Sequence, residues 1–88
     1  MTWSLRVSAS AGRSLSLLPD KAVAAIVAFL TGPLVQEPER VGKPLARDLT
    51  GYLVARRGPY RIVYRINEPH AVAEVVRIDH RSSVYRLR

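Results

Sequence analysis

Twelve of the fourteen basic residues are arginines, and two groups of them stand at the spacing of a β-strand. In Tyr60-Arg61-Ile62-Val63-Tyr64-Arg65-Ile66, alternation puts Arg61, Val63 and Arg65 on one face. In a regular strand Arg77, Asp79 and Arg81 would likewise point one way. A guanidinium stays charged at any relevant pH and offers paired planar donors, so such a face suits bidentate contact with phosphate. Two further side chains have acid–base chemistry of their own. His80 is of the residue type best suited to proton transfer near neutral pH, although alternation sets it on the opposite face from Arg81. Tyr85 starts near a pKa of about 10 and serves as a base only if neighbouring cations stabilise its phenolate. There is no cysteine, hence neither a disulfide framework nor a thiolate metal site, and two histidines without further clustered ligands give no reason to expect a metal or another cofactor.

The net charge of +7 over 88 residues calls for an anionic partner. Nucleic acid, an acidic protein and an anionic membrane all answer that description, and charge alone does not choose among them. Its distribution is more informative. From Leu45 onward there are nine arginines and four acids, whereas the first forty-four residues hold five basic and three acidic groups. The binding surface is therefore expected in the second half.

The elements that must position these residues follow from periodicity. Trp3, Leu5 and Val7 alternate with polar residues, which predicts a half-buried strand over 3–8. Ser10 is placed to cap a short helix carrying Ala11, Leu15 and Leu18, and Pro19 suits the first turn of a second helix. In that helix Val23, Ile26, Val27 and Leu30 form one apolar face, with Gly32-Pro33 expected to end it. Residues 34–49 read as an irregular connection holding Arg40, Lys43 and Arg47. Then come a strand from Tyr52 to Arg57, a Gly58-Pro59 turn, the Tyr60–Ile66 strand, a turn at Asn67-Glu68-Pro69-His70 and a third strand from Val72 to Asp79. Tyr60 and Tyr64 share a face with Ile62 and Ile66 and are expected in the core. The reading is a small α+β single domain over residues 1–88, in the order β-α-α-β-β-β, with an antiparallel sheet covered on one face by the two amino-terminal helices. The longest apolar stretch, Ala22 to Leu30, is far short of the ~20 residues a membrane span requires. With no signal-peptide pattern at the amino terminus, the expected location is the cytoplasm.

At this level a resemblance enters. The runs Leu49-Thr50-Gly51-Tyr52 and Ala55-Arg56-Arg57-Gly58-Pro59-Tyr60-Arg61-Ile62-Val63-Tyr64-Arg65-Ile66 are similar to the central signature of the RelE/ParE toxin superfamily. The ending Val75-Val76-Arg77-Ile78-Asp79-His80-Arg81-Ser82-Ser83-Val84-Tyr85-Arg86 resembles that of RelE-type members. Glu37-Pro38 and Val41-Gly42-Lys43-Pro44-Leu45 look like the actinobacterial RelE branch. The resemblance implies a toxin of a type II toxin–antitoxin pair, an endoribonuclease that cuts messenger RNA in the ribosomal A site without a metal and is neutralised by a cognate acidic antitoxin. It implies catalytic roles for Arg61, Arg81 and Tyr85. Arg56 and Arg57 occupy the place where some members carry catalytic lysines, and with those lysines missing they are assigned to phosphate binding, with Lys43 and Arg47 as further RNA contacts and His80 as an alternative acid–base group. Two other assignments share the fold: a ParE-like inhibitor of DNA gyrase, and a non-catalytic module that only binds its antitoxin.

Overall fold

The structure is a computed structural model in which residues 3–45 and 51–80 are described. Strand β1 (Ser4–Val7) leads into helices α1 (Ala9–Ser16) and α2 (Asp20–Phe29), then a π-helical segment Leu30–Leu34 and a short helix α3 (Pro38–Val41). Strands β2 (Lys43–Pro44), β3 (Tyr52–Arg57), β4 (Tyr60–Asn67) and β5 (Val72–His80) follow. The sheet order is β1-β5-β4-β3-β2. Strands β2 to β5 pair antiparallel as expected, while β1 joins the far edge parallel to β5, which makes the sheet mixed. The chain can reach a parallel partner because the helices intervene between β1 and β5.

Three local expectations are corrected. The cap of α1 is Ser8, not Ser10. Ser8 still has extended backbone, so its hydroxyl can accept from the Ala11 N–H and donate to the Val76 carbonyl, each at 3.1 Å, tying the helix start to β5. Gly32-Pro33 does not end the second helix. The chain widens into the π-helical turn, which absorbs the donor that Pro33 lacks, because Leu30 and Leu34 complete the apolar stripe at 2 % and 0 % exposure. Finally, residues 34–45 are less irregular than expected, holding α3 and the short edge strand β2. Pro19, by contrast, starts α2 close to the expected point, as its cap.

The core lies between the helices and one face of the sheet. Ala11, Ile26, Phe29, Leu30 and Leu34 pack with Ala55, Ile62, Tyr64, Ala73, Val75 and Ile78. Tyr64 is wholly buried, as its alternation predicts, and Tyr60 is half-buried against the same cluster. The β3–β4 turn falls at Gly58-Pro59, where Gly58 takes φ +57°, a conformation glycine enters without the Cβ penalty.

A bulge in β5 decides what the open face displays. Ala73, Val75, Arg77 and Asp79 have the same parity, so a regular strand would send all four to one side. The register shifts instead: Tyr64 faces Val75 while Val63 faces Arg77, leaving Val76 as the extra residue. Ile78 thereby enters the core, and Arg77 and Asp79 turn to the open face.

Candidate nucleic-acid interface

The face of the sheet opposite the helices is built from alternate residues of β3, β4 and β5. Directly paired positions put Arg56 beside Arg61, Val54 beside Val63 and Tyr52 beside Arg65. On the other side of β4, Arg61 faces Asp79, Val63 faces Arg77 and Arg65 faces Glu74. One end of this face is electrostatically settled. The Arg65 Nε donates to Glu74 Oε1 at 2.9 Å, and the Glu74 hydrogen bond and charge raise the Arg65 pKa above its ordinary value. The Arg65 guanidinium also lies 5.8 Å from the centre of the Tyr52 ring.

The other end is not settled. Asp79 is engaged by the Arg77 Nε at 2.7 Å, and among the described residues no ion pair involves Arg56 or Arg61. Two like charges directly opposite on neighbouring strands destabilise a sheet. An anion bridging the two guanidinium groups removes that penalty, and a phosphate offers enough oxygens to take paired donors from both. Val54 and Val63 form the apolar floor beside the pair.

Beyond β3 the face continues into a groove of about 440 Å³ lined by Arg40, Val41, Gly42, Lys43, Val54, Ala55 and Arg56. Lys43 pairs with Val54 across the edge strand, which places it on this rim. The rim is fastened from beneath: the buried Tyr64 hydroxyl donates to the Pro38 carbonyl at 2.6 Å. Gly42 lies so close to Tyr64 that a Cβ there would stand 2.9 Å from Cε1 and 3.0 Å from Cζ. Burial pushes the Tyr64 pKa up to about 12, so the phenol holds its proton and remains a donor.

The structure thus brings Arg56, Arg61 and Lys43 to one side of the sheet. It does not bring Arg57 to them. Alternation sends Arg57 to the helix side, where its guanidinium sits 4.3 Å from the centre of the Phe29 ring, a cation–π contact in place of the expected phosphate site. His80 is also on the helix side, edge-on to Tyr60 with ring centres 5.3 Å apart, and so is separated from Arg61 by the sheet. Arg47, Arg81 and Tyr85 lie outside the described residues. Arg40, placed by the sequence in the 34–49 connection without a binding role, lines the groove because residues 38–41 form a helix tied by Tyr64 of β4, a contact no local pattern announces. No cluster of three or more potential metal ligands occurs among the described residues.

The described residues define a small α+β domain with a five-stranded sheet, helices on one face and the cross-strand arginines Arg56 and Arg61 on the other. Residues 7–85 match the family model described as the ParE toxin of type II toxin–antitoxin system, parDE. The chain is 46 % identical over 86 residues to Toxin RelG of Mycobacterium tuberculosis, covering 98 % of this chain and 99 % of that one. It is 48 % identical over 81 residues to Toxin RelE of the same organism, covering 92 % and 84 %. The crystal structure of the M. tuberculosis toxin–antitoxin complex RelBE2 contains a chain similar at a TM-score of 0.88 and 45 % identity, over 93 % of this chain and 94 % of that one. The chain belongs to this family: it is a type II toxin–antitoxin toxin of the RelE/ParE superfamily.

Proposed function

We propose that this toxin is an endoribonuclease that cleaves messenger RNA in the ribosomal A site, with the RNA's own 2′-hydroxyl as nucleophile and no metal or other cofactor, and so stops translation. Residues 1–88 then form one toxin domain acting in the cytoplasm, with mRNA and the ribosome as partners. The observation that carries this reading is the cross-strand pair of Arg56 and Arg61, without an acidic partner among the described residues, on the open face of the sheet.

The reaction sets three requirements: removal of the 2′-proton, stabilisation of a dianionic phosphorane and protonation of the leaving 5′-oxygen. Arg61 takes the second role, with Arg56 on the opposite side of the same phosphate. Donors fixed on a sheet meet the developing charge without reorganising, which is where such contacts are worth most. By the family pattern Arg81 is assigned the same role as Arg61, and Tyr85 the base or stacking role. Arg47 and Lys43 extend the RNA contact. The cognate antitoxin is given an acidic segment that covers the arginine-rich face, in keeping with the toxin–antitoxin complex among the relatives.

The test is end chemistry. Wild-type protein on a defined message is expected to leave 2′,3′-cyclic phosphate ends, and a single 2′-deoxy substitution at the cut site is expected to abolish that cut. Cutting that persists at the 2′-deoxy position would refute 2′-hydroxyl attack. A second reading follows from the ParE description of the matched family. Intact message together with inhibited gyrase supercoiling would establish it instead.

A further inference from the structure

We propose that the groove between the α3–β2 rim and β3 is a second phosphodiester subsite, in which Arg40 and Lys43 hold the RNA backbone on one side of the phosphate bound by Arg56 and Arg61. The inference rests on the RNA-cleaving reading and adds to it a residue, Arg40, and the direction in which the strand crosses the sheet. Three cations line the groove and none of its lining residues is acidic. Arg40 does meet Glu37, but at 3.7 Å with side chains 78 % and 58 % exposed, a contact that solvent screens and a phosphate readily replaces.

Position and rigidity set this patch apart from a scatter of surface charge. Arg56 belongs both to the groove wall and to the Arg56–Arg61 pair, so the two anion sites share a residue and form one track. From β2 to β4 the track crosses two interstrand spacings, about 10 Å. The rim does not hang from a loose loop. Val41 packs on the core, Tyr64 holds the Pro38 carbonyl from below, and Gly42 lies flat against the Tyr64 ring. Arg40 and Lys43 are therefore presented from a fixed ledge, and the strand loses less freedom in binding a prearranged pair of cations. A lining with three cations and no acidic side chain, continuous with the Arg56–Arg61 pair, suits the repeating negative charge of a nucleic-acid backbone.

The test measures binding without cleavage. Affinity for a fluorescent single-stranded RNA carrying 2′-O-methyl groups throughout is followed over a salt series for wild type, Arg40→Ala, Lys43→Ala and the double variant. Each lost phosphate contact is expected to flatten the slope of log affinity against log salt by about 0.7, and the double variant by about 1.4. Raising salt fourfold then shrinks the wild-type advantage about 2.6-fold for a single variant and about 7-fold for the double. Arg13→Ala, on the exposed side of α1, is expected to keep the wild-type slope. Matching thermal midpoints establish that the variants are folded. An unchanged slope in the folded double variant overturns the subsite, and a loss confined to binding of an acidic peptide overturns it in favour of a protein occupant. Failure of wild-type protein to cleave any message would remove the ribonuclease reading while leaving the salt-slope result to stand on its own.

Discussion

Removing one oxygen atom from the core, by Tyr64→Phe, is expected to loosen the ledge that carries Arg40 and Lys43. Tyr64 is fully buried, and its hydroxyl donates to the Pro38 carbonyl at 2.6 Å. Pro38 is itself among the most buried side chains, so the carbonyl beside it has little access to water once its donor is gone. Leaving a buried acceptor unpaired costs about 1–3 kcal/mol. For a domain of this size each kcal/mol shifts the thermal midpoint by about 4–8 °C, so a fall of roughly 4 to 24 °C is expected by circular dichroism at neutral pH. A pH signature accompanies it. The native phenol titrates at about 12, above the ordinary value of about 10. The native state therefore holds its proton more tightly than the unfolded state, and this contribution is level below pH 10 and lost as pH rises from 10 towards 12. In Tyr64→Phe that part of the alkaline loss disappears. A variant that melts within about 2 °C of wild type, with the same alkaline profile, would show that the hydroxyl does not tether the ledge.

Other expectations follow from particular contacts. Gly42→Ala is expected to destabilise by about 1–3 kcal/mol, since a Cβ there overlaps the Tyr64 ring; adding it to Tyr64→Phe, which clears only the hydroxyl, is expected to cost less than the sum, measurable by a double-mutant cycle in denaturant. Arg56→Ala and Arg61→Ala are each expected to reduce cleavage about 10²–10³-fold with the fold retained, whereas Arg57→Ala loses its contact with Phe29, about 0.5–1 kcal/mol, and a long hydrogen bond to the Arg56 carbonyl, and keeps most activity. Equal losses at Arg56 and Arg57 in a cleavage time course would remove the distinction between the two faces. Ala71 holds φ 53°, a left-handed conformation that costs a residue with a Cβ about 1–2 kcal/mol, so Ala71→Gly is expected to melt at or a few degrees above the wild-type temperature.

Much of this arrangement is legible in the sequence where alternation is strict. In β4 every second residue from Tyr60 is apolar and enters the core, and Arg61 and Arg65 take the other face as their spacing requires. The same alternation separates Arg56 from Arg57, a consequence hidden when the two are read as one basic segment. Irregular backbone was the harder part. The bulge at Val76 turns Arg77 and Asp79 outward, although their parity with Ala73 and Val75 points inward, and no local propensity marks the extra residue; the shift lets Ile78 enter the core. Pro33 misleads in the same way. Its local cost is outweighed by the burial of Leu30 and Leu34 on either side of it. The place of Arg40 in the groove is not legible in its own segment, because it depends on a hydrogen bond spanning 26 residues, from Tyr64 to Pro38.

The most direct test of the ribonuclease assignment is primer extension along a defined message in a purified translation system, with and without ribosomes, comparing wild type with Arg61→Ala. Cuts within codons that need ribosomes and fade at least a hundredfold in the variant are the expected result. Full-length message with wild-type protein and translating ribosomes, or cutting undiminished in a folded Arg61→Ala, would contradict it.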